Sequence, residues 1–140
     1  SAPHHWRRRA LPRLLVLLGV LRVFYQRQQL GQVVRHRSVQ RAGWQLPGDE
    51  WSEVVSFLEA QKLICATGSD GWVLSRDLSS YSLYQLISRC PWPIPRLEQL
   101  PAQLDEAWYP DVRAALENLY AQESALFSGS LAQWLRTSDE

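Results

Sequence analysis

Methionine is absent from this 140-residue chain, cysteine occurs twice, histidine three times, and no apolar run is long. Each scarcity excludes something. An open reading frame begins with methionine, so the expectation is a piece of a longer protein. Cys65 and Cys90 stand far apart with no CxxC pair, and His4, His5 and His36 lie toward the amino end, which excludes the usual zinc spacings. Two thiols are too few for a disulfide scaffold. They read as reduced, with Cys65 placed in a core by the apolar run Leu63-Ile64-Cys65-Ala66, and so favour a reducing compartment. The longest apolar stretch, 14–21, falls far short of the about twenty residues a membrane helix needs, and no small-x-small cleavage site follows it. It reads as a buried helix of a soluble chain. Also missing are a GxSxG elbow, a P-loop and an HExxH helix, while the adjacent carboxylates Asp105-Glu106 and Asp139-Glu140 fall in a linker and at a terminus. His4 and His5 belong to the arginine-rich arm, and His36 stands between Arg35 and Arg37. No acid, base and nucleophile come together, so the expectation is a non-enzymatic protein without catalytic residues, metal or cofactor.

What is present is an uneven division of charge. Up to Glu50 nine arginines face Asp49 and Glu50, a net of 9 − 2 = +7, and from Trp51 onward six basic residues face twelve acidic ones, 6 − 12 = −6. The near-neutral total therefore hides a basic front and an acidic back. Arg7, Arg8 and Arg9, beside Trp6, form a tract that attracts anionic lipid or phosphate, and Arg35, Arg37 and Arg41 extend the basic character inward.

Apolar spacing predicts a helix over 12–30, with Leu14, Leu15, Leu17, Leu18, Leu21 and Phe24 on one face, Pro12 in its first turn and Gly31 at its end. A short helix is expected within 33–43. Asp49 is expected to cap a third, with Trp51, Val54, Val55 and Leu58 at i, i+3, i+4, i+7 and an end near Lys62. Strands at 63–67 and 72–76 flank the turn Gly68-Ser69-Asp70-Gly71. Three helices and a hairpin in that order make a winged helix-turn-helix pattern. Ser82 then caps a helix over 83–89, Pro91-Trp92-Pro93-Ile94-Pro95 forms an extended strap that lays Trp92 and Ile94 on the domain, and Pro110 opens a helix whose apolar face runs through Val112, Leu116, Leu119, Tyr120 and Leu126. A last short helix covers 131–136. The fold class is mainly α with a small β-hairpin (α+β). The expected organisation is a flexible basic arm at 1–11, a winged-helix-like unit at 12–80 and a helical extension at 81–140 packed on it.

A winged helix invites a nucleic-acid role, yet the helix ahead of this wing presents Glu50, Glu53, Ser56, Glu59 and Gln61 to the outside, and the wing adds Asp70 and Asp77. Carboxylates there repel the phosphates that supply most non-specific affinity. Protein contact is the better use of the scaffold. Trp44, Trp51, Trp72 and Trp108 are the aromatic candidates for it, although most of them suit a core equally well.

Gly71-Trp72-Val73-Leu74-Ser75-Arg76-Asp77-Leu78, Ser82-Leu83-Tyr84-Gln85-Leu86, the 91–95 strap and Asp105-Glu106-Ala107-Trp108-Tyr109-Pro110 resemble the carboxy-terminal portion of YihY/BrkB-like proteins. These are bacterial inner-membrane proteins historically labelled tRNA-processing ribonuclease BN. The resemblance implies a cytoplasmic domain following several transmembrane helices, with the basic arm just inside the membrane as the positive-inside rule requires. It carries no catalytic residue to this chain. The expected function is an interaction or regulatory domain of an integral inner-membrane protein, its partners the transmembrane portion, anionic lipid head groups or another protein. A nucleic-acid-binding module using the basic front is the alternative from another class, and the ribonuclease label a third.

Overall fold

The structure is a computed structural model and describes residues 11–136. The chain divides into two compact units, Ser1–Leu104 and Asp105–Glu140. The first contains helices α1 (Arg13–Gln29), α2 (His36–Arg41) and α3 (Gly48–Ala60), strands β1 (Ile64–Ala66) and β2 (Trp72–Leu74), a 3-10 turn at Leu78–Ser80, α4 (Leu83–Arg89) and a second 3-10 turn at Leu97–Gln99. The second holds α5 (Tyr109–Leu126) and α6 (Leu131–Leu135). The expected class, mainly helical with one small hairpin, is the class observed.

Helix α1 forms because its amino-terminal two-thirds is almost unbroken leucine and valine. Leu14, Leu15, Leu17, Val20 and Phe24 are all buried, each burial worth about 1.5–3 kcal/mol. Pro12 stands one residue ahead of the helix as its cap, and its carbonyl accepts from Leu15 N at 3.0 Å. At the other end Gly31 takes φ +67° and closes a Schellman turn, with Gly31 N donating to Gln28 O at 3.1 Å and Gln32 N to Arg27 O at 2.9 Å. The chain then reverses directly into Val34, which pairs with Trp72 through bonds of 2.8 and 2.9 Å. That bridge adds a one-residue strand beside β2, which is itself antiparallel to β1 with Ile64 opposite Leu74 and Ala66 opposite Trp72.

Two more Schellman turns shape the unit. Gly43 ends α2 at φ +99°, with Trp44 N donating to Val39 O at 3.2 Å. Lys62 ends α3 at φ +59°, with Leu63 N donating to Leu58 O at 3.0 Å. The first of these swings Trp44 onto α1, where its fully buried indole lies against Gly19; a Cβ at Gly19 would overlap the six-membered ring. The second feeds the chain into β1.

Helix α3 buries Trp51, Val54, Val55 and Leu58 as its spacing predicts. Two local expectations fail there and just beyond. Asp49 does not cap: α3 starts one residue earlier, Pro47 occupies the cap position, and Asp49 sits in the first turn, where its charge still complements the helix dipole. Cys65 is not in a core. In this short strand only Ile64 points inward, so the period-two alternation turns the thiol of Cys65 outward. Farther on, Ser82 caps α4 as expected, accepting from Gln85 N at 3.0 Å while its own N–H donates to Gln85 Oε1 at 2.8 Å. The Ser79 backbone N–H, 2.9 Å from Asp77 Oδ1, together with the Ser79 side chain, holds the Asp77 carboxyl below its ordinary pKa.

The proline strap lies on α3. Trp92 meets Phe57 edge-on at 5.7 Å and receives the Arg13 guanidinium over its face at 5.4 Å, while Arg13 also pairs with Glu50, and Pro95 is fully buried. In the second unit, Arg113 Nη1 donates to the Tyr109 hydroxyl at 3.3 Å.

Replacing Gly19 by alanine must push Trp44 out of its seat, and thermal unfolding is expected to show a loss of about 1–3 kcal/mol. Lys62→Gly acts in the opposite direction, because glycine takes the left-handed backbone without the Cβ penalty; a gain of about 1 kcal/mol is expected in the same assay.

Candidate functional site

Of the aromatic candidates, Trp44, Trp51 and Trp72 belong to the first unit and Trp108 to the second. Trp44 is buried against Gly19, and Trp51 is buried between His36, stacked on it at 5.3 Å and 7°, and Trp72, edge-on at 5.8 Å and 83°. His36 is oriented by its Nε2–H donating to Leu46 O at 2.6 Å. Trp72 is half-buried in the sheet, and Trp108, also half-buried, meets Tyr109 edge-on at 6.2 Å in the second unit. The indole N–H groups of Trp72 and Trp108 are buried with no acceptor.

Of the basic candidates, Arg35, Arg37 and Arg41 fall among the described residues. Arg7, Arg8 and Arg9 lie outside the described residues. Arg35 donates from Nη2 to Ser69 O at 2.7 Å, so it ties the hairpin turn to the start of α2. Arg37 is exposed on α2. Arg41 reaches a concave surface. It lines a groove of about 580 Å³ with Arg22 and Arg27 of α1, together with Gln26, Gln29 and Ser38.

Each arginine reaches this groove for a local reason. Past Val23 and Phe24 the apolar character of α1 gives way to Gln26, Arg27, Gln28 and Gln29, so its last turns leave the core and present amides and guanidinium groups. The Gly31 turn and the Val34 bridge then bring α2 back beside them. Ser38, a buried polar residue, is fixed by accepting from Arg35 N at 3.1 Å. Arg27 Nη1 is directed by a 3.1 Å bond to Gln32 Oε1, and the Arg22 guanidinium rests over Tyr25 at 5.9 Å. The groove lining contains no carboxylate. Three guanidinium groups with amide donors and no carboxylate in the lining offer the donor geometry that bidentate hydrogen bonding to an anion requires. Sequence reasoning singled out Arg41 and passed over Arg22 and Arg27; the signal was the polar end of an otherwise apolar helix, readable once Gly31 is taken as a reversal.

The opposite character appears on α3. Glu53, Ser56 and Glu59 are exposed there, and Glu50 is engaged with Arg13. A smaller recess of about 370 Å³ near Trp44 and Leu46 includes Glu50 in its wall. Among the described residues no three His, Cys, Asp or Glu side chains gather where a metal ion could be held, and no helix is long and apolar enough to cross a membrane.

Against this geometry, the comparisons with known proteins point one way. No family model matches the chain. Similarity is found to UPF0761 membrane proteins: one from Pseudomonas aeruginosa is 57% identical over 135 residues, covering 96% of this chain and 33% of its own length. Its counterpart in Azotobacter vinelandii is 59% identical over 136 residues, 97% of this chain and 33% of its own. A more distant one, in Alcanivorax borkumensis, is 37% identical over 99 residues, 69% of this chain and 23% of its own. The chain thus spans about a third of the length of the curated relatives it matches most extensively. No solved structure matches it.

Removing the Arg35 side chain frees the hairpin turn, so Arg35→Ala is expected to speed amide exchange at residues 67–71. Arg37→Ala, which removes an exposed group, should leave both exchange and stability within about 0.5 kcal/mol of the parent.

Proposed function

We propose that this chain is the membrane-adjacent part of a UPF0761 membrane protein of the YihY/BrkB-like kind, a non-enzymatic interaction and regulatory domain on the cytoplasmic face of the bacterial inner membrane. Its first unit is a winged-helix scaffold: α1, the Val34 strand residue, α2, α3 and the β1–β2 hairpin follow one another in the order that scaffold uses, with Val34 paired to β2. The observation that carries the functional reading is the arginine groove. It lies in a chain whose relatives are named membrane proteins, and guanidinium groups beside an anionic leaflet gain about 1 kcal/mol each from the surface potential. The Arg7 to Arg9 tract adds to the same attraction, and the basic front gains a physical purpose. Several features support lipid over nucleic acid as the groove's partner. The α3 face that would enter a major groove carries Glu53 and Glu59, and the wing that would follow the backbone carries Asp70.

Flotation of the chain with vesicles of phosphatidylglycerol and phosphatidylcholine tests this. Binding is expected to the anionic vesicles and not to pure phosphatidylcholine, and Arg22→Ala or Arg41→Ala should each weaken it about fivefold at low salt. A duplex oligonucleotide bound more tightly than the vesicles, with a steep salt slope, would replace this reading with a nucleic-acid one. Vesicle binding indifferent to both substitutions would remove the groove from it.

A further inference from the structure

Helical spacing carries the apolar stripe of α5 through Leu119 to Leu126, yet both side chains are exposed. Over 126–135 the exposure is general: Leu126, Phe127, Leu131, Trp134 and Leu135 are between 59 and 76% exposed. Large apolar side chains gathered in this way are rare on a monomer's free surface and mark a place where something docks.

The face is held in shape before anything covers it. Ser130 and Gln133 form a reciprocal cap, with Gln133 N donating to Ser130 Oγ at 3.1 Å and Ser130 N to Gln133 Oε1 at 2.9 Å, and this fixes the start of α6. Leu131, Trp134 and Leu135 then follow at i, i+3 and i+4, on one side of that helix. Phe127 meets Trp134 with ring centroids 6.3 Å apart. Gly129 lets the indole come close; a Cβ there would stand 3.0 Å from Trp134 Nε1. An aromatic pair fixed in this way loses little freedom when it is covered, as an interface anchor should.

Composition and area select the occupant. Residues 126–135 include no acidic or basic side chain, and the charge that adjoins them is Arg136. An uncharged patch offers a foreign protein none of the charge pairs that set specificity between unlike partners, whereas a two-fold contact needs only that the patch fit itself. Homodimer interfaces are also the more apolar class. Side chains of this size, exposed to this degree, present about 100 Å² each, so two copies closed face to face bury on the order of 1,000 Å², about the least a specific interface needs. Over 105–140, Arg113 and Arg136 stand against seven carboxylates, a net of 2 − 7 = −5, so two copies repel at a distance. That repulsion is screened within about 8 Å at physiological salt, and apolar burial is not. We propose that residues 126–135 pair with the same residues of a second copy, closing a reversible two-fold homodimer.

Sedimentation velocity of the 140-residue chain, from micromolar to submillimolar concentration and at low and high salt, tests the pairing. A monomer–dimer equilibrium in the micromolar range is expected, holding steady or tightening as salt rises, because the interface is apolar and the surrounding charges are alike. Trp134→Ala should weaken it about tenfold or more. Leu135→Asp, at an exposed position, is an independent variant that sets two carboxylates across the two-fold contact and should weaken it as well, with circular dichroism checking the fold of both. A monomer at every concentration overturns the proposal, as does self-association unchanged by both substitutions. Growth past the dimer overturns it in favour of a head-to-tail contact, and association that salt abolishes overturns it in favour of ion pairing. Binding of a monomer to anionic vesicles that depends on Trp134 overturns it too, with lipid as the occupant.

Discussion

The first unit depends on one contact, the indole of Trp44 lying flat where Gly19 gives α1 no side chain. An indole is the largest apolar group the chain has, and burying it completely anchors the end of α2 at the middle of α1. Together with the Val34 bridge to Trp72, it fixes α2 at both ends. The groove is a consequence. Its two walls are the polar end of α1 and the outer side of α2, and their separation is set by two points, the Gly31 turn and the seat of Trp44, neither of which carries charge. Interiors packed this closely transmit small changes in volume, so a methyl group at Gly19 would be felt at Arg41.

On this frame the charges are sorted by surface rather than paired off. Arg22, Arg27 and Arg41 meet no carboxylate in the groove, while Glu53 and Glu59 meet no arginine of that set on α3. Arg13, which pairs with Glu50 and lies 3.9 Å from Glu53 while covering the face of Trp92, does a different job, holding the proline strap on α3. Keeping like charges together costs self-repulsion that a protein built only for stability would avoid. The cost has a use if the basic groove faces phosphate.

Much of this was legible in the residues. The i, i+3, i+4, i+7 pattern located α3, the Gly68 to Gly71 turn located the hairpin, and Ser82 located the start of α4 to the residue, because each is a local signal with a local cause. What escaped is non-local. Arg22 and Arg41 are nineteen positions apart and become neighbours only through a left-handed turn at Gly31. Cys65 was misplaced because a run of four apolar residues looks the same whether a strand is buried on both sides or on one, and β1 is too short to show its alternation. Asp49 lost the cap because Pro47, with its fixed φ, already supplies the backbone that a cap needs. The exposed face of 126–135 was hidden by the opposite error: spacing reveals an apolar stripe and says nothing of what covers it.

The central claim is that the chain meets an anionic bilayer through the groove between α1 and α2 and not through α3. Paramagnetic broadening from spin-labelled lipid head groups, read residue by residue with the chain bound to phosphatidylglycerol nanodiscs, tests that directly. The account predicts broadening concentrated at 22–30 and 38–42, with 53–59 untouched. Broadening centred on α3, or spread evenly over the chain, would contradict it.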